Sequence, residues 1–158
     1  MAVRLAETEA YLGPEDRAAH TWGGRRTPRV RSMWGRPGVA YVYLIYGLHH
    51  CLNLVTLAEG RGEAVLLRGG PVVAGHGIAR VRRGDGVSAA ALADGPGKLC
   101  QAAGITREHD GLDTCASDAA LYVADDGVVP LEVETTARVG IESAGAAAGW
   151  PLRFVVSW

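Results

Sequence analysis

The sequence predicts an α+β fold: a single mixed domain with a curved antiparallel sheet, a protruding β-hairpin and a few short helices. The length of 158 residues suits one domain with one hydrophobic core. Residues 39–45 and 51–56 are rich in β-branched and aromatic side chains and flank a break at Gly47, which is typical of a hairpin. No internal repeat or linker divides the chain, so its strands and helices are expected to share one core.

The first part of the chain is expected to form a strand, a long loop and the hairpin. In a strand over residues 3–11, period-two alternation places Glu9 and Tyr11 on one face. Residues 12–16 predict a turn, and the stretch that follows to residue 38 is rich in Arg, Gly and Pro and lacks helical or strand periodicity, which predicts a functional loop. The hairpin would carry residues 46–50 at its tip. The other predicted elements are strands over 63–68, 121–123 and 152–156 and helices over 87–93 and 98–103.

Positive charge is concentrated in the first half of the chain. Residues 1–83 contain 12 arginines and six acidic residues, a balance of +6, whereas residues 84–158 carry four basic and 11 acidic residues, a balance of −7. Six arginines follow one another without an intervening acid: Arg17, Arg25, Arg26, Arg29, Arg31 and Arg36. This run suits a polyanion such as DNA or RNA, and a solvated basic loop is the alternative reading.

The composition argues against membrane, secreted and metal-binding classes. No apolar run approaches the roughly 20 residues of a membrane span, and the first residues lack a signal-peptide core, so we expect a cytoplasmic protein without membrane association. Cys51, Cys100 and Cys115 lack the close spacing of zinc or redox motifs and predict reduced thiols. His49 and His50 would point to opposite faces of a strand. We therefore expect neither a metal nor another cofactor.

Aromatic and polar side chains suggest a pocket for a nucleobase. An enzyme that acts on a base inside a duplex must first extrude it into a pocket of aromatic and hydrogen-bonding groups. The hairpin offers Tyr41, Tyr43 and Tyr46, of which Tyr41 is expected to pack in the core. Tyr43 and Tyr46 are three residues apart and would face opposite sides of a regular strand, so one suits a pocket and the other a wedge.

Several sequence blocks resemble the alkyladenine (3-methyladenine) DNA glycosylase family and occur in the order found in that family. The first is Glu-Thr-Glu-Ala-Tyr-Leu-Gly-Pro-Glu-Asp at 7–16, followed by Ala-Ala-His at 18–20. The others lie at 41–53, 65–68, 95–101, 137–140 and 151–154. Family members carry a helix and a strand ahead of the first block, so residues 1–158 are expected to be a single glycosylase domain that lacks both.

The resemblance implies a monofunctional base-excision-repair glycosylase. By position, Glu9 would activate the water that attacks C1′ of the damaged nucleotide, and Arg68 and the main chain of Val139 would help hold that water. A carboxylate suits the role because it accepts a proton and stabilises a developing oxocarbenium-like sugar. A glycosylase that also cuts the strand commonly uses an amine nucleophile. Lys98 is the only lysine and belongs to a structural block, so base release alone is expected, leaving an abasic site.

The resemblance also assigns the base pocket and the DNA contacts. Tyr11, His20 and Tyr43 would sandwich the flipped base, and Asn53 would oppose the exocyclic amine of normal guanine. Tyr46 would fill the gap left in the duplex. Phosphate contacts are expected from Arg25, Arg26, Arg29 and Arg31.

The implied partner is double-stranded DNA that contains an alkylated or deaminated purine, bound by a monomer associated with a bacterial-type nucleoid through its DNA. Two alternatives remain at this stage. One is a truncated, non-catalytic DNA-binding homologue. The other is a hydrolase of free nucleosides, which would need neither the arginine run nor an exposed wedge.

Overall fold

The computed structural model describes residues 1–158, and its two antiparallel sheets and short helices confirm the predicted α+β class. The strands are β1 (Ala2–Val3), β2 (Glu7–Tyr11), β3 (Ala40–Ile45), β4 (His49–Thr56), β5 (Glu63–Gly69), β6 (Val72–Ala74), β7 (Glu132–Thr136) and β8 (Arg153–Ser157). The α-helices are α1 (His76–Arg83) and α2 (Pro96–Ala103). The 3-10 helices span Gly13–Glu15, Trp22–Gly24, Pro28–Trp34, Ala89–Ala91, Arg107–His109 and Glu142–Gly149. None of these helices has the length and apolar content that a membrane crossing requires.

The main sheet has six strands in the order β3-β4-β5-β2-β8-β7, and β1 pairs with β6 in a small second sheet. Strand β2 therefore lies in the interior of the main sheet, between β5 and β8. Directly opposite residues of antiparallel strands place their side chains on the same face. One such row crosses the sheet in the register Tyr41, Asn53, Leu66, Glu9, Arg153 and Thr136.

The two faces of the sheet bury different clusters. Alternate residues such as Val42, Leu52 and Leu67 face the side on which α2 packs against β4 and β5. Their neighbours along the strands, among them Tyr41 and Val55, face the opposite side, which residues 12–38 cover. The row that contains Glu9 shares this second face, so the fold places it beneath the arginine-rich segment.

The prediction of a loop without regular structure over residues 12–38 was wrong. The segment contains three 3-10 helices, and Val30, Met33 and Trp34 of the third are buried. These three residues recur at i, i+3 and i+4, a spacing that places them on one face of a helical turn. Arg31 and Ser32, which lie between them, obscured this apolar stripe in the sequence. The segment is therefore a packed cover over one face of the sheet.

Other element boundaries also differ from the prediction. The strand expected over 3–11 is divided into β1 and β2. Between them, Arg4 donates its backbone N–H to Pro71, which follows β5, and Ala6 donates its own to Gly69, the last residue of β5. Only Ala89–Ala91 of the helix expected over 87–93 is helical, and 121–123 is not a strand. Strands β6 and β7 and helix α1 were not predicted. β7 is an exposed edge strand, and it lacks the apolar alternation that a half-buried strand shows.

Candidate active site

A cavity of about 290 Å³ opens between the covered face of the sheet and residues 12–38. This volume is near the lower end of the range for ligand pockets, about 300–1,000 Å³, and suits a small planar ligand. All seven residues predicted for catalysis and for the base pocket line it: Glu9, Tyr11, His20, Tyr43, Asn53, Arg68 and Val139. Glu9 is the only acidic residue in the wall.

The Glu9 side chain is completely buried at the cavity wall. Its Oε1 accepts the Val139 backbone N–H at 2.8 Å and lies 3.2 Å from Nη1 of Arg68, and its Oε2 accepts the Tyr11 hydroxyl at 2.9 Å. A buried charge is costly unless it is paired and hydrogen-bonded. The two hydrogen-bond donors and the adjacent guanidinium suit an ionised carboxylate, which accepts hydrogen bonds and donates none. The carboxylate is thus held in one orientation.

Arg68 reaches Glu9 from a β-bulge. Thr8 of β2 pairs with Leu67 of β5, but the preceding residue, Glu7, pairs with Gly69. Arg68 is therefore the extra residue of β5, with no partner on β2. Bulges bend a strand and redirect a side chain, and they are over-represented beside active sites. The register shift had no signal in the sequence, whereas the proximity of Arg68 to Glu9 followed from the resemblance.

A buried ion pair fixes the segment that carries the Val139 N–H. Arg138 and Asp16 have no exposed side-chain surface, and their bidentate contacts measure 2.5 and 2.9 Å. Arg138 also donates to the backbone oxygens of Ala10 and Ala147. Burial acts to raise the pKa of Asp16, but hydrogen bonds from Arg138 and two backbone N–H groups outweigh it and lower this pKa. Sequence reasoning did not identify this pair.

Aromatic rings form one side of the cavity. His20 and Tyr43 meet edge to face with ring centroids 4.6 Å apart, and Tyr43 stacks on Tyr41 at 5.5 Å. Tyr41 belongs to the buried core, as expected, and it also contributes to the cavity wall. Its hydroxyl lies 2.8 Å from Nδ1 of His20. Burial raises the pKa of Tyr11 and of Tyr43 and raises that of Tyr41 to about 12, so these rings stay neutral.

His20 is expected to remain uncharged at physiological pH. Burial, assisted by the positive charges of Arg29 and Arg25, lowers its pKa from 6.5 to about 4. NMR titration of the imidazole should therefore show a neutral ring throughout pH 5–8. The unfolded chain takes up this proton near pH 6.5, so His20 should also make the folded state less stable as the pH falls from 6.5 towards 4. A ring that titrates near 6.5 in the folded protein would contradict this prediction.

Asn53 occupies the cavity floor with 4% of its surface exposed. Its Nδ2 donates to the backbone oxygen of Tyr41 at 3.1 Å, which fixes the plane of the amide group. Cys51, a buried free thiol, also lines the wall, and Met33 and Leu66 supply apolar surface. None of these last three was predicted as a site residue; period-two alternation on β4 and β5 places Cys51 and Leu66 on the same face as Asn53.

The hairpin tip presents two bulky side chains to solvent. Tyr46 is 86% and Leu48 76% exposed, whereas His49 and His50, expected at the tip, belong to β4. Tyr46 and Gly47 have φ angles of 53° and 69°, and the Leu48 N–H donates to the Ile45 oxygen, as in a type I′ turn. A side chain in the left-handed region costs about 1–2 kcal/mol. The tip therefore holds an exposed tyrosine in a strained conformation.

The predicted phosphate-binding arginines are all exposed: Arg25, Arg26, Arg29 and Arg31. Arg29 lines the cavity and donates to the backbone oxygen of Leu44 in the hairpin at 3.2 Å. Arg26 lies 3.9 Å from the ring centroid of Trp34, which is part of the covering segment. The basic segment thus adjoins both the cavity and the hairpin.

The protein has no group of three or more His, Cys, Asp or Glu side chains that could hold a metal ion. The expected absence of a metal or other cofactor stays a prediction. Lys98, the only lysine, pairs with Asp94 at 2.8 Å on the exposed start of α2 and does not line the cavity.

Comparison with known proteins agrees with this arrangement. Residues 1–157 match the family model of methylpurine-DNA glycosylase. The DNA-3-methyladenine glycosylase of Homo sapiens is 44% identical over 163 residues, which cover 97% of this chain and 54% of the human protein. Relatives of Bdellovibrio bacteriovorus and Desulfitobacterium hafniense, whose names contain the words 3-methyladenine DNA glycosylase, are 47% and 42% identical. Their alignments cover 96% and 98% of this chain and 76% and 78% of the relatives. These matches confirm the predicted resemblance, and the chain belongs to the methylpurine-DNA glycosylase family.

Proposed function

We propose that this DNA glycosylase draws an alkylated or deaminated purine out of duplex DNA into the cavity and hydrolyses its N-glycosidic bond, leaving an abasic site. The main support is the placement of Glu9. It is a fully buried carboxylate, the only acid in a wall of which aromatic rings form one side. The exposed Tyr46 follows Ile45, which lines the cavity, and Arg29 of the basic segment lines it as well. Extrusion of a base requires this combination of a pocket, a wedge and phosphate-binding groups.

Glu9 would act on a water molecule placed between its carboxylate and C1′ of the extruded nucleotide. As the bond from C1′ to the base nitrogen breaks, the base leaves with the bonding electrons and the sugar develops positive charge. The water oxygen bonds to C1′ and Glu9 accepts one of its protons. The carboxylate also stabilises the oxocarbenium-like sugar, because its orientation is already fixed by Val139, Tyr11 and Arg68.

The aromatic wall supports selection of damaged purines. An alkylated purine is electron-deficient, and its ring should stack on the electron-rich faces of Tyr11 and Tyr43 more favourably than a normal purine does. The neutral His20 ring adds no competing positive charge. Asn53, whose amide is fixed by the Tyr41 backbone, would oppose the exocyclic amine of unmodified guanine.

Tyr46 is proposed as the wedge that fills the vacated position in the duplex. Replacing it with alanine should weaken lesion-DNA binding by about 1–3 kcal/mol, since this is the usual value of stacking one base on an aromatic ring. That energy corresponds to an affinity loss of about 5- to 150-fold. Fluorescence anisotropy with a lesion duplex measures the change. Tyr122→Ala is a matched control, because Tyr122 is also exposed but lies outside the hairpin. Equal affinities for Tyr46→Ala and the wild type would remove Tyr46 from this role.

The proposal includes base release without strand cleavage. A bifunctional mechanism commonly uses an amine nucleophile. The only lysine, Lys98, does not line the cavity, because it pairs with Asp94 on the surface. The test uses a duplex with one hypoxanthine or ethenoadenine, excess chelator and a separate alkaline step. We expect strand breaks only after alkali and at the same yield with chelator. Breaks before alkali would contradict the abasic product, and lesion binding without release would favour a non-catalytic DNA-binding role.

A further inference from the structure

We infer that Glu7 is a positioning residue that holds the Arg68 guanidinium in the orientation required by Glu9. This inference rests on the proposed function, because it assigns Glu7 an indirect part in water activation. Glu7 does not line the cavity and so does not reach a bound base. It would act on the reaction only through Arg68.

The contacts of Glu7 connect three strands beside the cavity. Its Oε1 accepts hydrogen bonds from Nε of Arg68 on β5 at 2.5 Å and from Nε of Arg153 on β8 at 2.6 Å. Arg153 in turn donates to the Thr136 hydroxyl on β7 at 3.0 Å. Only 19% of the Glu7 side chain is exposed. One carboxylate oxygen therefore anchors two guanidinium groups on either side of β2.

Arg68 requires such an anchor because it is the extra residue of the bulge. Backbone pairing does not define its position as it does that of its neighbours. The guanidinium is planar and rigid, so a hydrogen bond at Nε restricts the whole group. With Nε bound to Glu7, the Nη1 atom lies 3.2 Å from Oε1 of Glu9. The same oxygen accepts the Val139 N–H, which leaves Oε2 for Tyr11 and for the water of the proposed reaction.

The two carboxylates and two guanidinium groups around Glu7 balance in charge. Glu7 and Glu9 face Arg68, and Arg153 lies on the far side of Glu7. Burial acts to raise the pKa of Glu7, but hydrogen bonds from Arg153 and Arg68 outweigh it and lower this pKa. Glu7 is therefore ionised at neutral pH. Without its charge, Arg68 would have Glu9 as its only carboxylate partner and would turn towards it, which would disturb the orientation of the proposed base.

The Glu7→Gln variant tests the inference. It keeps the shape of the side chain and removes its charge. Single-turnover base release from a hypoxanthine duplex at saturating enzyme should slow by about 10- to 100-fold, the effect of a small misplacement of reacting groups. The Kd for the same duplex should change less than about twofold. Glu63→Gln is the matched control, because it makes the same exchange in the Arg61–Glu63 pair at the start of β5 and should leave the rate unchanged.

A double-mutant cycle separates positioning from a general loss of stability. In an Arg68→Gln background, Glu7→Gln should cause no further loss of rate, because Arg68 is the path by which Glu7 acts. If Glu7→Gln folds poorly, Glu7→Asp replaces it as the test. Glu7→Asp keeps the charge and should recover part of the rate of base release. Independent losses in the cycle, or a wild-type rate for a folded Glu7→Gln variant, would overturn the inference while the proposed function stands. A wild-type enzyme that releases no base would overturn the proposed function itself.

Discussion

Replacing Glu9 with glutamine is expected to abolish base release and to preserve lesion-DNA binding. The amide has the shape of the carboxylate but cannot take up a proton from water at neutral pH. A positioned general base typically contributes about 10²- to 10⁴-fold to a rate, so single-turnover release should fall by at least this factor. Binding should change little, because the aromatic wall and the hairpin tip are unaltered. Release from a hypoxanthine duplex and anisotropy on the same duplex measure the two effects.

Glu15→Gln is the matched control for this experiment. Glu15 is exposed and lies on the covering segment outside the cavity wall, so its loss should leave both rate and affinity unchanged. A Glu9→Gln variant that releases base at a rate within about tenfold of the wild type would remove Glu9 from the role of general base. A variant that loses binding and release together would instead indicate that Glu9 mainly maintains the shape of the cavity.

Replacing Asp16 with asparagine should destabilise the fold by about 3–5 kcal/mol, the usual cost of removing one partner of a buried ion pair. The substitution leaves the Arg138 guanidinium buried and uncompensated. Urea unfolding followed by tryptophan fluorescence measures the free energy of unfolding. Asp113→Asn is the matched control: it breaks the Arg36–Asp113 pair, in which 65% of the Arg36 side chain is exposed. Exposed pairs contribute about 0–1 kcal/mol.

The pH dependence of stability provides a second check on Asp16. Its pKa is lowered in the folded protein, so its contribution is fully present above the pKa of an unfolded aspartate and is lost as the pH falls through the lowered folded value. Asp16→Asn should therefore differ most from the wild type near neutral pH and least in strong acid. Equal stability losses for Asp16→Asn and Asp113→Asn would show that the buried pair contributes no more than a surface pair.

Local sequence rules predicted the parts of the site that depend on alternation along a strand. Tyr11 and Glu9 are two residues apart on β2, and their side chains are hydrogen-bonded at 2.9 Å, as a shared face requires. The hairpin was predicted from local composition, since its two strands carry strong β-forming residues on either side of Gly47. The complete burial of Glu9 does not follow from alternation along the strand, because it depends on the covering segment.

Contacts between distant segments could not be predicted from local rules. Arg138 and Asp16 are separated by 122 positions, and no periodicity connects them. The bulge at Arg68 depends on the register in which β2 and β5 pair, and neither strand's sequence predicts this register by itself. The anchoring of Arg68 by Glu7 follows from this pairing. The resemblance to the family identified Arg68 and Val139, but the groups that hold them in place became apparent only from the structure.

The most direct test of the central claim is a crystal structure of the Glu9→Gln variant with a duplex that contains one ethenoadenine. The proposed mechanism predicts that the damaged base lies in the cavity against Tyr11 and Tyr43, with C1′ facing the side chain at position 9. Tyr46 should occupy the vacated position in the duplex. A base that stays stacked in the duplex above an empty cavity, or that binds elsewhere on the protein, would contradict the account.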